Sequence, residues 1–242
     1  MEQNIISLEV AINVFTEGFC FAKSRTYPFA AFAEPNMIVM RDDPVRRTVR
    51  KTEIVAWGIS PEEAIERVRA SHPAFHFLSY VHSNDEDFED IRRRFKQSGY
   101  RAMLHELFFV HDLESIPPLR YSSEVERLTG DQVEWEGPQF PKHLEPRPPI
   151  GTRYRIWHHF REVASVMKVP VGPDHWVSDL YVVGEERRKG YATDLMCQLL
   201  FDAQEAGERS SILLANTTGA KLYPRLGYQK IGTLQLFCPL ER

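Results

Sequence analysis

Two short blocks of this sequence carry residue types that chemistry needs, and both lie in its second half. The first reads Leu180-Tyr-Val-Val-Gly-Glu-Glu-Arg-Arg-Lys-Gly-Tyr-Ala192. Apolar residues give way to basic ones and a glycine, as expected where a strand turns into a helix. The first amides of a helix have no partner within it and stand at the positive end of its dipole, so an anion is stabilised there. A diphosphate could be held by the amides of about residues 188–193. Gly190 would let the backbone approach the phosphates, and Ala192 would keep the next turn small. Arg187, Arg188 and Lys189 would add charge-assisted contacts. The block is neither a Walker loop nor a GxGxxG fingerprint, because their glycines are absent. Alone, R-x-x-G-x-A says little, since ordinary residue frequencies produce it in roughly one chain in four of this length.

The second block is far more specific. Asn216, Ala220, Tyr223 and Gly227-Tyr228 stand at N-x-x-x-A-x-x-Y-x-x-x-G-Y spacing, directly after the apolar run Ser211–Ala215. Chance should produce that pattern in about one chain in ten thousand. In this order and spacing the two blocks resemble the GNAT superfamily of acyl-CoA-dependent N-acyltransferases. The resemblance is specific from Trp176 to Tyr228 and extends more loosely over 152–242. It implies an α/β fold with a GNAT-like mixed β-sheet flanked by helices, acetyl-CoA as cosubstrate, an amine as acceptor, and no metal. By that resemblance Leu180, Tyr181 and Val182 would lend backbone groups to the pantetheine arm. Arg187, Arg188, Lys189, Gly190, Tyr191, Ala192 and Thr193 would take the diphosphate. Asn216 would contact pantetheine or substrate, and Tyr223 would protonate the departing thiolate.

The reaction so implied explains the residue types. A neutral amine attacks the thioester carbonyl, a backbone N–H can stabilise the oxyanion, and a phenol can give the leaving thiolate its proton. Holding both reactants side by side supplies much of the remaining acceleration. Read from the residues alone, Tyr223 could instead be an aromatic packed on a helix, and Asn216 a helix N-cap. Gly184 replaces the family's usual proline, and Ala192 its more frequent glycine. No general base is evident. Asp179 lies on the strand that often carries one in the family, though alternation can point it away, and Asp174 and His175 lie at that strand's entrance. His158-His159 offers no metal site, because adjacent strand residues face opposite ways and there is no HExxH.

The elements that must position these residues follow from pattern. Tyr154–His159 and Val163–Val169 read as an antiparallel pair about Arg161-Glu162, and Trp176–Val183 as a strand. Apolar residues at helical spacing from Ala192 to Ala203 precede Gly207, a C-terminal signal. Ser211–Ala215 reads as a buried parallel strand, Thr218–Leu226 as helical up to Gly227, and Gln229–Cys238 as a last strand. Strand, helix and parallel strand imply a right-handed crossover. The first half repeats the later part of this pattern: Thr52–Ile59, a helix Pro61–Ala70 capped by Ser60, Phe75–Val81, a helix Asp87–Gln97, and Met103–His111. Aligning Gly99-Tyr100 with Gly227-Tyr228 places Phe95 on Tyr223 and Val110 on Cys238. The expected organisation is therefore a tandem: a degenerate GNAT-like half (1–115), a proline-rich connector (116–150) and an intact acetyl-CoA-binding half (151–242). The degenerate half lacks both R-x-x-G-x-A and the tyrosine, so packing or shaping the acceptor site is expected of it.

Composition bounds the rest. The 242 residues are 43% hydrophobic and 26% charged, with a net charge of −4, which speaks against a general nucleic-acid binder. No apolar run is long enough to span a membrane, and MEQNIISLEV lacks the apolar core of a signal peptide. Cys20, Cys197 and Cys238 are far apart and form no CxxC, which points to the cytoplasm with neither disulfides nor zinc. Oligomeric state and acceptor identity are not legible. Two other classes stay open: a non-catalytic acyl-CoA sensor, for which the missing base argues, and an interaction module that binds no CoA.

Overall fold

The computed structural model describes residues 6–24, 28–45, 50–72, 75–119, 123–129 and 151–240; most of the expected connector lies outside them. Local signals set the helices. In α2 (Pro61–Ser71) the Ser60 hydroxyl accepts from the Glu63 amide, Pro61 opens the first turn, and Glu62 and Glu63 face the positive end of the dipole. In α3 (Phe88–Gln97) Asp87 caps two amides, and Arg94 and Lys96 stand in the last turn. A further helix, α1 (Leu8–Lys23), and a hairpin of β1 (Phe29–Glu34) and β2 (Met37–Asp42) were not expected from the sequence.

The remaining strands are β3 (Thr52–Trp57), β4 (His76–His82), β5 (Tyr100–His111), β6 (Glu126–Thr129), β7 (Thr152–His158), β8 (Arg161–Val171) and β9 (Asp174–Val182). After α4 (Tyr191–Glu205) come β10 (Ser210–Ala215) and β11 (Gln229–Pro239). Among the described residues they form one sheet, ordered β1-β2-β3-β4-β11-β5-β10-β9-β8-β7-β6. Only β3–β4 and β9–β10 are parallel. The two expected halves therefore do not form separate sheets. β5 and β11 pair antiparallel from Tyr100↔Pro239 to Val110↔Gln229. The outer edge of β11 is completed by β4 and that of β5 by β10, so each segment's last strand extends the other's parallel pair. Unpaired edges in the middle of the sheet are thereby avoided.

Period-two alternation sorts side chains onto two faces. Val55, Val81, Phe108, Val110, Trp176, Ile212 and Leu234 pack with α1 on one face. On the opposite face Ile54, Leu78, Tyr80 and Phe237 pack under α2 and α3, while Phe109, Val177, Leu213 and Ala215 pack under α4. Two details differ from expectation. The β7–β8 turn falls at His159-Phe160, with φ of 50° and 60°, rather than at Arg161-Glu162. Positive φ at both central residues is what a two-residue hairpin of this twist requires. It also carries His159 out of the strand, so the two histidine rings lie 4.1 Å apart instead of on opposite faces. The helical segment 218–226 is two short 3-10 turns, Gly219–Lys221 and Tyr223–Leu226, because Pro224 has no amide to continue an α-helix.

The interleaved order predicts that residues 1–115 and 116–242 do not fold separately. Each fragment alone should give a poorly dispersed NMR spectrum, and mixing them should restore the dispersion of the intact chain. A well-dispersed spectrum from either fragment alone would contradict this reading of the sheet.

Candidate active site

The site begins with hydrogen bonds that stop. β9 and β10 pair over Asp174↔Ser210 to Val177↔Leu213. Beyond that rung β9 continues to Val182 against β8 alone, and β10 continues to Ala215 against β5 alone. A bulge turns β9 aside: Ser178 pairs with Met167 and Tyr181 with Ser165, so Asp179 and Leu180 oppose the single residue Val166. Asp179 takes up the bend with φ of 56°. The edge of residues 178–182 that faces β10 is therefore free to bond an extended, amide-bearing ligand.

A cavity of about 990 Å³ fills this split and reaches both faces of the sheet. Tyr191, Ala192, Leu222 and Tyr223 line it from the α4 face, and Phe15, Phe19 and Glu106 from the α1 face. Gly18 allows α1 to come so close, since a Cβ there would lie 2.5 Å from that of Trp176. Phe15 then packs against Trp176 with ring centroids 5.0 Å apart and the rings tilted by 53°.

At one mouth of the cavity lies the loop before α4. Gly190 is the N-cap with φ of 96°, and no side chain caps the helix. The first bonds onto Gly190 O come from Thr193 N (2.8 Å) and Asp194 N (3.0 Å), so the amides just before them have no intrahelical acceptor. Nothing of the protein lies within 4 Å of where a Gly190 Cβ would be, so that space is open to a ligand. Arg187, Arg188, Gly190, Tyr191, Ala192 and Thr193 all line the cavity, as do Leu180, Tyr181 and Val182. Lys189 does not line it; its ammonium donates to Glu186 at 2.7 Å. That contact, with help from Arg161, holds the Glu186 carboxyl below the usual range. Lys189 thus neutralises a carboxylate at the mouth instead of facing the split.

Tyr223 is buried, its ring 5.4 Å from Phe109, and burial pushes its phenol up to about 12, with the Glu106 carboxylate adding to the shift. Its hydroxyl therefore keeps its proton near neutral pH. Asn216 Oδ1 accepts from Gly219 N at 2.8 Å, and the residue also lines the cavity. Asp179 lines the cavity from the bulge, exposed. Asp174 and His175 do not: Arg209 and Ser210 hold Asp174, and the fully buried His175 meets Glu208 at 2.5 Å. Burial lowers the His175 pKa despite that partner. Among the described residues no cluster of side chains could hold a metal ion, and no helix is long and apolar enough to cross a membrane.

Glu106 is the cavity residue that the sequence did not single out. Burial raises its carboxyl above the ordinary range, the direction that suits proton transfer near neutrality. The other parallel pair, β3 and β4, shows no such split among the described residues. β3 and β4 stay paired from Thr52↔His76 to Trp57↔Val81, and Phe95 fills its pocket by stacking on Phe237 at 3.9 Å.

Residues 134–228 match the model of the acetyltransferase (GNAT) family. Among curated proteins none matches the chain in sequence. Among solved structures, a GCN5-related N-acetyltransferase from Kribbella flavida superposes with a TM-score of 0.62 at 13% identity, over 99% of this chain and 98% of its own. One from Sphaerobacter thermophilus gives 0.54 at 14% identity, over 96% and 92%. A GCN5-related N-acetyltransferase-like protein from Streptococcus suis gives 0.53 at 12%, over 96% and 99%. Residues 134–228 thus resemble a GNAT acetyltransferase domain, and the chain has a GNAT-like α/β fold of a mixed sheet flanked by helices.

The Asn216 cap predicts a stability effect that its ligand-contacting reading does not. Asn216→Ala should cost about 1 kcal/mol in urea unfolding without any ligand, and Asn216→Asp much less. Equal stability of Asn216→Ala and the parent would remove the cap from the account.

Proposed function

We propose that this chain is an N-acyltransferase that moves an acetyl group from acetyl-CoA to an amine by direct attack within the β9/β10 split. The observation that carries the reading is the junction of an open strand edge, an uncapped helix N-terminus and a buried neutral phenol around one cavity. The edge of Leu180, Tyr181 and Val182 suits the amides of a pantetheine arm, and the amides about Gly190, with Arg187 and Arg188, suit a diphosphate. Asn216 and Tyr223 stand on the far side of the split, where the thioester would lie between them and β9.

The amine nitrogen attacks the carbonyl carbon, the C–N bond forms and the C–S bond breaks. Tyr223 gives its hydroxyl proton to the leaving sulfur and is reprotonated from the attacking nitrogen through water. Asp179 is a candidate to relay that proton, exposed at the bulge. The reading as a non-catalytic sensor rested on the lack of a base, and Glu106 in the cavity wall takes that ground away.

We further infer that residues 1–115 are a degenerate copy of 151–242 that binds no CoA. The strand order supports this, reading β1-β2-β3-β4-β11 from one end and β7-β8-β9-β10-β5 towards the other. So do matched contacts: Phe95 on Phe237 answers Tyr223 on Phe109, and Tyr100 bonding His76 answers Tyr228 bonding Ser211.

Tyr223→Phe keeps the ring and removes only the donor. CoA should raise the melting temperature of variant and parent alike, while thiol release from acetyl-CoA in the presence of an accepted amine should fall by roughly ten- to a thousandfold. Turnover equal to the parent's would show that another group protonates the sulfur.

A further inference from the structure

Beyond the split the cavity continues over the α1 face of the sheet, and its walls there come from residues 1–115 and β11. Its floor is two neighbouring rows. Ser79, Leu236 and Leu104 stand side by side across β4, β11 and β5, and Leu234 and Glu106 stand side by side in the next row. Phe15 and Phe19 of α1 close the opposite side. Leu104 is 47% exposed, which marks where the floor meets solvent.

The charges on this side are few. Among the described lining residues it holds two carboxylates, Glu106 and Glu53, and Glu53 is already joined to Lys23. Among the described residues the arginines that line the cavity, Arg187 and Arg188, stand on the loop before α4, at the other end. Glu106 is half-buried, its carboxyl raised by burial with no cation to counter it. A carboxylate so placed is stabilised by a cation, and a cation among apolar walls needs such a partner. A second carboxylate or a set of hydroxyls on the same ligand would lie against leucine and phenylalanine unpaired, at a cost.

Resting on the acyl-transfer reading, the geometry points to an acceptor that is a primary amine on an apolar aliphatic or aromatic stem. It lies on the floor of β11 and β5 with its ammonium at Glu106. The Glu106 carboxylate takes one proton from the ammonium, giving a neutral amine and a carboxylic acid. The amine then forms its bond to the acetyl carbon as the C–S bond breaks. Glu106 passes its proton to solvent, so the sum is one amide, one CoA thiol and one released proton. Residues 1–115, together with β11, thus build the acceptor half of the site, while the rest of 151–242 builds the donor half.

The test compares hexylamine, 6-aminohexanoate and glucosamine as acceptors, reading thiol release from acetyl-CoA with the full chain. The kcat/KM for hexylamine should exceed that for either of the others by roughly ten- to a hundredfold. Glu106→Gln should retain the CoA-induced rise in melting temperature and lose about a hundredfold in kcat/KM for hexylamine near neutral pH. That deficit should shrink as pH rises toward about 10, where the amine loses its proton unaided. The other titratable groups facing the cavity are Glu53 with Lys23, Asp179, Tyr181, Glu186, Arg187, Arg188, Tyr191 and Tyr223, and all remain in the variant. Leu104→Lys, at the exposed rim, should raise KM for hexylamine and leave the CoA-induced shift intact. Preference for 6-aminohexanoate or glucosamine, or a Glu106→Gln deficit that does not change with pH, would overturn the inference alone. No thiol release with any amine would overturn it together with the acyl-transfer reading.

Discussion

The structure turns on backbone hydrogen bonds that two parallel strands do not make. Buried amides and carbonyls are almost always paired, so a sheet that opens along its own interior must offer those groups to water or to a ligand. Here the opening follows the last β9–β10 rung at Val177↔Leu213, and the bulge at Asp179 and Leu180 keeps β9 from closing again. Everything assigned to the site borders that gap. The loop to α4 begins where β9 ends, and the Asn216 turn begins where β10 ends. The same sheet shows the alternative, because β3 and β4 stay paired along their length.

Strand exchange explains how the gap can exist in a stable sheet. β10 keeps a partner along its far edge because β5 arrives from the other segment, and β5 is in turn locked to β11. Two segments of similar pattern hold one another's edges, so one parallel pair can splay without leaving a free interior strand. The exchange also delivers side chains. Leu104 and Glu106 of β5 and Leu234 and Leu236 of β11 reach the cavity from the α1 face. That side of the cavity is thereby built by elements outside the matched segment 134–228.

How much of this the sequence could say depends on range. The diphosphate loop and the Asn216–Tyr228 block are local, each carried by a few residues on one turn, and the cavity gathers most of them. The direction of Lys189 depends on Glu186, a neighbour whose burial no spacing reveals. The capped helices α2 and α3 were legible from Ser60 and Asp87. α1 was not, since Gly18 weakens its helical pattern and the phenylalanines at 15, 19 and 21 suit a strand as well. Glu106 could not be found either. In sequence it is one polar residue on an alternating strand, and only pairing with β11 and the ending of β10 at Ala215 set it beside the gap. That β5 and β11 lie side by side in one sheet is hidden for the same reason, because such pairing leaves no local mark.

The account stands or falls on the β9/β10 gap being where CoA binds, with nothing comparable between β3 and β4. Hydrogen–deuterium exchange on the intact chain, with and without CoA, addresses this residue by residue. The account predicts slowed exchange at the amides of 178–193 and 214–219, and unchanged exchange at 52–63 and 76–82. Protection at Ser60–Glu63 equal to that at Gly190–Thr193, or none at either place, would contradict it.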